Sequence, residues 1–188
     1  MKEIFEKLKK QVVPVVVLKS LNKIDELCKF LISSDILVCE ITYRTECAAE
    51  AVKFISKNYP QILVGAGTVL SIETAQNAVE NGASFLVSPG SNESVINFCN
   101  AKNIPIIAGI ETASEIEKAM SLGQELLKFF PAEACGGIEK IKALSAPYSN
   151  IKFMPTGGIT PIKAKEYLAL KSVWCVGGSY VIPKELLG

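Results

Sequence analysis

Histidine is absent from all 188 residues. That excludes Ser-His and Cys-His nucleophile systems and imidazole ligands for zinc. Acid–base work then falls to carboxylates, lysine, tyrosine, cysteine or water. Long apolar runs are missing too. The run Val12–Leu18 is interrupted by Pro14 and followed by Lys19, far short of the ~20 residues of a membrane span. The opening, Met1–Lys10, is charged throughout and has no signal-peptide core, so a cytoplasmic location and no membrane partner are expected. Neither sign of charge is in excess: 20 basic against 19 acidic residues leave +1. Bulk charge thus points to no nucleic-acid or membrane partner. The cysteines Cys28, Cys39, Cys47, Cys99, Cys135 and Cys175 form no C-x-x-C pair, and several lie inside apolar runs. Buried free thiols in a reducing compartment are expected, not a disulfide framework.

What is present is a rhythm. Short β-rich runs occur at Val12–Val17, Ile36–Ile41, Ile62–Val64, Phe85–Val87, Ile104–Ile107, Leu126–Phe129, Ile151–Met154 and Val173–Val176. Amphipathic stretches lie between them, at Lys23–Ile32, Ala48–Lys57, Ile72–Glu80, Glu93–Lys102, Ser114–Ser121 and Pro161–Leu168. Ser71, Ser91 or Asn92, and Thr112 with Glu115 three residues on are start signals, and Thr160-Pro161 places proline at a first helical position. Gly82 and Gly123 are stop signals. Strict alternation of strand and helix predicts parallel pairing with right-handed crossovers. Eight units predict a compact (β/α)8 TIM barrel in one domain over residues 1–188. An open doubly wound sheet of fewer strands shares the rhythm. Only Pro183–Leu187 follow the eighth run, too few for a full eighth outer helix. Part of the barrel bottom or a flank is then exposed, or is covered by the N-terminal helix Lys2–Lys10 or by another subunit.

In a parallel barrel the site lies at the C-terminal strand ends, and polar residues collect there. The second run leads to Glu40-Ile-Thr42-Tyr-Arg44 and the third to Gly65-Ala-Gly67-Thr68. The fourth leads to Ser88-Pro89-Gly90 and the fifth to Gly109-Ile-Glu111-Thr112. The sixth carries Lys128-Phe-Phe130-Pro131. The seventh leads to Pro155-Thr156-Gly157-Gly158 and the eighth to Gly177-Gly178-Ser179. Lys128, within Leu126-Leu-Lys-Phe-Phe130, is the sharpest signal. An amine desolvated there is expected to serve as a nucleophile able to form a Schiff base. A lone lysine in such a run more often snorkels outward or pairs with a buried carboxylate; Glu40 and Arg44 at another strand end tip the balance toward chemistry. Alternation puts Val38, Glu40 and Thr42 on one strand face, where Glu40 can relay a proton or form a structural ion pair. Arg44 suits a substrate carboxylate as well as it suits a solvated loop, and the Thr68 hydroxyl can join it. Gly65-x-Gly67 alone is weak, since barrel turns use glycine for sterics. The two Gly-Gly pairs stand in the loops where barrels hold phosphate, with tight turns as the plainer alternative.

Taken together, these segments resemble the 2-keto-3-deoxy-6-phosphogluconate (KDPG) and 4-hydroxy-2-oxoglutarate (KHG) aldolase family. The likeness runs from about Val13 to Pro183. The segment Gly123-Gln-Glu-Leu-Leu-Lys128-Phe-Phe-Pro131-Ala-Glu-Ala-Cys-Gly136 fits the family pattern at every defined position. The resemblance implies a class I aldolase that needs no metal and no other cofactor. It implies Lys128 as the Schiff-base residue and Glu40 as proton acceptor and donor. Arg44 and Thr68 then bind the pyruvate carboxylate, with Pro89 and Thr156 on the pyruvate side and Phe130 beside the iminium. Gly157, Gly158, Gly178 and Ser179 hold the phosphate. It implies a small phosphorylated 2-keto acid as partner, and a homotrimer. Asp35, Tyr43, Ala108 and Tyr180 stand where the family more often has glycine, leucine or phenylalanine, proline and tryptophan; none removes a catalytic group. Cleavage of KDPG to pyruvate and glyceraldehyde 3-phosphate is the expected reaction. Alternatives are cleavage of KHG or of the phosphogalactonate epimer, a non-catalytic phosphosugar-binding barrel, and a phosphosugar isomerase or epimerase on the same fold.

Overall fold

A computed structural model describes residues 2–188. The order of elements is α1 (Lys2–Leu8), β1 (Val12–Val16), α2 (Ile24–Ser33), β2 (Val38–Thr42), α3 (Ala48–Asn58), β3 (Leu63–Gly67), α4 (Ile72–Glu80) and β4 (Phe85–Val87). There follow α5 (Glu93–Ala101), β5 (Ile106–Ile110), α6 (Ala113–Ser121), β6 (Leu126–Phe129), α7 (Gly137–Ser145), β7 (Lys152–Pro155), α8 (Pro161–Ala169) and β8 (Val176–Gly178). Two 3-10 turns, Ser179–Val181 and Lys184–Leu186, come last.

Helix starts are set by short-range hydrogen bonds, and these were legible. The Ser71 side chain accepts from the Thr74 N–H at 3.2 Å and starts α4. Asn92, not Ser91, caps α5 by accepting from Ser94 N–H at 3.0 Å. Thr112 and Glu115 form the reciprocal capping box of α6. Thr160 caps α8, with Pro161 first in the helix. Gly82 and Gly123 take positive φ just beyond α4 and α6. One helix escaped the sequence reading. Helix α7 opens on Gly136 and Gly137, both at positive φ, so it has no side-chain cap and no visible start signal.

All strand pairs are parallel, in the order β7-β6-β5-β4-β3-β2-β1-β8. Two parallel bridges, Phe153 to Val173 and Thr156 to Gly177, close β7 onto β8. A nearly closed barrel results, and the open-sheet alternative falls away. Strand bounds shift by one or two residues at β1, β2 and β7, and β8 begins at Val176 where Val173 was expected; the longer C-terminal extensions come where glycine intervenes. The structure carries β3 through Gly65-Ala-Gly67, β5 through Gly109 and β8 through Gly177-Gly178, all expected as loop residues. These glycines are small because the barrel interior is crowded. A Cβ on Gly65 would overlap the Phe85 ring, one on Gly67 the Glu40 carboxylate, one on Gly109 the Pro89 carbonyl, and one on Gly177 the Thr156 hydroxyl.

Two apolar layers separate by strand face. Outward residues such as Cys39, Ile41, Leu127 and Phe129 pack under the helices. Inward residues Val13, Val38, Phe85, Val87, Ile107, Leu126, Met154 and Cys175 fill the lower barrel together with Leu8, Ile4 and Phe5 of α1. Helix α1 therefore plugs the bottom, which selects among the covers expected above. Burying a side chain such as Leu8 completely contributes about 1.5–3 kcal/mol. The plug is pinned by Trp174 Nε1 donating to Phe5 O at 2.7 Å, and by Lys10 Nζ donating to the carbonyls of Leu168, Leu170 and Val173. On the flank after β8, Val181, Leu186 and Leu187 of the final turns pack against the outer layer. The six cysteines are all free; Cys47 and Cys135 are only half-buried. No helix among the described residues is long and apolar enough to cross a membrane.

Candidate active site

Strand alternation decides which side chains enter the barrel. In β2, Cys39 and Ile41 face the helices while Val38 faces inward, so Glu40 and Thr42 share the inward face. In β6, Leu127 and Phe129 face the helices and Leu126 faces inward, so Lys128 points inward too. The two charged groups meet across the barrel. Lys128 Nζ lies 3.7 Å from Glu40 Oε1, with the side chains 5% and 1% exposed. That distance is an ion pair and too long for a hydrogen bond. Neither Glu40 oxygen has a hydrogen-bond partner among the described residues, and the Thr42 and Tyr43 hydroxyls are likewise buried without one. Such a carboxylate is costly to bury, and its lone pairs are left for a substrate hydroxyl or for water. Burial pushes the Tyr43 phenol up to about 12, so it stays a neutral donor.

Above the pair, Lys128 Nζ sits 5.1 Å from the centroid of the Phe130 ring, within cation–π range. The mouth is a cleft of about 310 Å³ lined by Arg44, Lys128, Phe130, Thr156, Gly157, Gly158 and Ser179 among others. Seven residues singled out from sequence thus share one cavity. Arg44 Nε donates to Thr68 Oγ1 at 3.1 Å, which ties the loop after β2 to the loop after β3; Thr68 holds a positive φ of 59° there. Thr68 and Glu40 reach the cleft through Arg44 and Lys128 and do not line it. Thr156 is buried, and its hydroxyl lies against Gly177.

Two further residues fall outside the cleft lining. Pro89 is half-buried at the mouth, with its carbonyl against Gly109. Gly178 is buried between Val12 and the Tyr180 ring, where a Cβ would come within 2.8 Å of that ring. The structure also adds Val15, Val17, Ile159 and Gly177 to the lining. The two valines were findable, since they continue the inward alternation from Val13.

In the same cleft, Gly157 (φ 105°) and Gly158 (φ 76°) adopt left-handed conformations just before α8. Helix N-termini carry partial positive charge and free N–H groups, and so attract anions. The cleft thus brings together an amine paired with a buried carboxylate, an arginine, a glycine turn at a helix N-terminus, and a serine hydroxyl.

Fold and mouth together define an aldolase-type barrel. The family model described as KDPG and KHG aldolase matches residues 4–188. The chain is 44% identical to the KHG/KDPG aldolase of Escherichia coli K12 over 176 residues, 94% of this chain and 83% of that one. The crystal structure of the Legionella pneumophila KDPG aldolase, with pyruvate captured at low pH as a covalent carbinolamine intermediate, superposes with a TM-score of 0.92. It is 37% identical, covering 98% of this chain and 88% of that one. The Zymomonas mobilis ZM4 2-keto-3-deoxy-6-phosphogluconate aldolase, solved with 3-phosphoglycerate, also gives 0.92 at 36% identity, with coverage of 98% and 88%. The chain belongs to the KDPG and KHG aldolase family.

Proposed function

We propose that this protein is a class I aldolase that cleaves KDPG to pyruvate and glyceraldehyde 3-phosphate through a Schiff base on Lys128. The observation that carries the reading is the sealed Lys128–Glu40 pair at the floor of the mouth cleft. Glu40 is the carboxylate within 4 Å of the amine, and accepts the ammonium proton so that the free amine can attack the substrate C2 ketone. The carbinolamine hydroxyl takes that proton back from Glu40 and leaves as water, which gives an iminium and restores the Glu40 carboxylate. Arg44, held by Thr68, binds the C1 carboxylate with two parallel hydrogen bonds. Glu40, through a water, removes the C4 hydroxyl proton, and the C3–C4 electron pair flows into the iminium to form an enamine. Glyceraldehyde 3-phosphate leaves. Protonation at C3 and hydrolysis of the imine then release pyruvate and restore the amine. Phe130 packs beside the iminium, and Thr156 and Pro89 belong to the pyruvate end. Gly157, Gly158, Gly178 and Ser179 form the phosphate end. The named activity of the Escherichia coli relative includes KHG, and both substrates share every step at the pyruvate end.

The decisive experiment is borohydride trapping with pyruvate, read by peptide mass spectrometry. The expected product is a reduced pyruvyl adduct on Lys128. Folded protein without that adduct, beside a working control aldolase, would turn the reading toward a binding or isomerising barrel. The ratio of kcat/KM for KDPG and KHG then ranks the two substrates. The homotrimer implied by the family likeness is checked by sedimentation equilibrium.

A further inference from the structure

The glycine turn at the phosphate end is braced from outside the cleft by residues that the mechanism does not use. Beyond β6 the chain runs alongside the loop after β7. Ala132 N–H donates to Thr156 O at 2.8 Å, and Glu133 N–H donates to Gly157 O at 3.1 Å. The Glu133 side chain lies directly behind Gly158; a Cβ there would come within 3.0 Å of Glu133 Cβ and 3.3 Å of its Cγ. The carboxylate then turns away to the Tyr167 hydroxyl, which donates to Oε1 at 2.5 Å. Tyr167 belongs to α8 and is completely buried. The start of α7 covers this bond, since a Cβ on Gly137 would lie 3.4 Å from both Glu133 Oε1 and the Tyr167 hydroxyl. The end of β6, the loop after β7, α7 and α8 thus converge on one charge-assisted hydrogen bond. Glu133 lines an open groove between α7 and α8, on the far side of the turn from Lys128. It is therefore clear of the reacting atoms.

We infer that Glu133 and Tyr167 are positioning residues that hold the Gly157–Gly158 turn in its left-handed shape and thereby set the affinity for the substrate's phosphate. The inference rests on the phosphate reading of that turn. Two consecutive glycines at φ 105° and 76° are unstrained there but have more conformational freedom to lose than any other residue, so a fixed turn draws on contacts from neighbouring structure. Glu133 supplies it through its backbone N–H and its side-chain stem, and Tyr167 locks the stem. The same bond keeps the Glu133 charge pointed away from the anion site.

The test compares Tyr167→Phe, Glu133→Ala and Glu133→Gln on KDPG, on 2-keto-3-deoxygluconate (which lacks the phosphate), and in borohydride trapping with pyruvate. Tyr167→Phe and Glu133→Ala should raise KM for KDPG about tenfold, the scale of one hydrogen bond to a charged group. Their kcat, their KM for the unphosphorylated acid and their pyruvate trapping should stay within about twofold of wild type. Glu133→Gln, whose amide oxygen still accepts from Tyr167, should stay near wild type. The inference is overturned if KM for both acids rises together, or if neither rises while circular dichroism and melting show folded protein. Ser179→Ala separates this from failure of the phosphate reading. If it removes the preference for KDPG and Tyr167→Phe does not, only the positioning role falls. If wild type shows no preference for the phosphorylated acid, the phosphate reading falls and the positioning role falls with it.

Discussion

Replacing Gly67 with alanine tests the proton relay without touching a catalytic group. Gly67 ends β3 opposite Thr42, and its missing side chain is the space that Glu40 occupies. A Cβ placed there overlaps Glu40 Oε1 and comes within 2.6 Å of Cδ and 2.7 Å of Cγ. Oε1 is the oxygen that faces Lys128. Glu40 is 1% exposed, so no solvent space is open to it, and the carboxylate must move by about 1 Å within the barrel. A displacement of that size costs on the order of 10²-fold in rate, and complete loss of a general base costs about 10²–10⁴-fold. We expect kcat for KDPG cleavage to fall within that span. Stability should fall by about 1–3 kcal/mol, the scale of overpacking. Borohydride trapping with pyruvate should still label Lys128, because the amine remains, but more slowly than in wild type, because the displaced carboxylate also takes the ammonium proton. Gly90→Ala is the control, since a Cβ there meets nothing within 4 Å, and it should turn over near the wild-type rate. If folded Gly67→Ala cleaves KDPG within about fivefold of wild type, Glu40 is not the relay.

Other perturbations reach the rest of the site. Lys128→Met should abolish turnover and leave Glu40 buried without its counter-ion, costing about 3–5 kcal/mol in denaturant unfolding. The double variant Lys128→Met/Glu40→Leu should regain most of that stability and no activity; a double variant no more stable than the single one would show that the pair is not the source of the loss. Arg44→Lys keeps the charge but loses the planar fork, so the pyruvate concentration for half-maximal trapping should rise about 10–100-fold; an unchanged value would place the carboxylate elsewhere. On the outer surface, the Glu111 carboxyl is held below its ordinary range, first by the Lys140 ammonium donating at 2.9 Å and then by the Cys135 side chain. A depressed folded-state pKa means that this pair stabilises above the unfolded carboxyl pKa and is lost as pH falls through the folded one. Lys140→Met should raise the Glu111 midpoint in a carboxyl-carbon NMR titration, and an unmoved midpoint would refute the assignment.

The sequence alone determined whatever depends on neighbours a few residues apart. The caps at Ser71, Thr112 with Glu115, and Thr160-Pro161 are bonds spanning three residues, so they survive in the one-dimensional text. Phe85–Val87 and Leu126–Phe129 form strands at the expected bounds, and Lys128 is the one polar residue in them. The strand count and the inward face of Glu40 follow from spacing and alternation. Helix α7 was not legible, because two glycines at positive φ open it and its stability comes from packing. The extended course of Gly65, Gly67, Gly109 and Gly177 was hidden too. Glycine reads as a turn, and only the side chains of other strands reveal that it is a strand residue without room for a Cβ.

The site divides along the same line. Residue types suited to imine and carboxylate chemistry were visible one by one. The 3.7 Å between Lys128 and Glu40, 88 positions apart in sequence, exists only because β2 and β6 both turn those side chains into one barrel. The bond from Arg44 to Thr68, the bracing of Gly158 by Glu133 and Tyr167, and the plug that α1 makes at the bottom are likewise products of closure. Local sequence chooses conformations through bonds between near neighbours. Tertiary structure decides which distant groups share a low-dielectric interior, and closure of the barrel is what puts Lys128 beside Glu40.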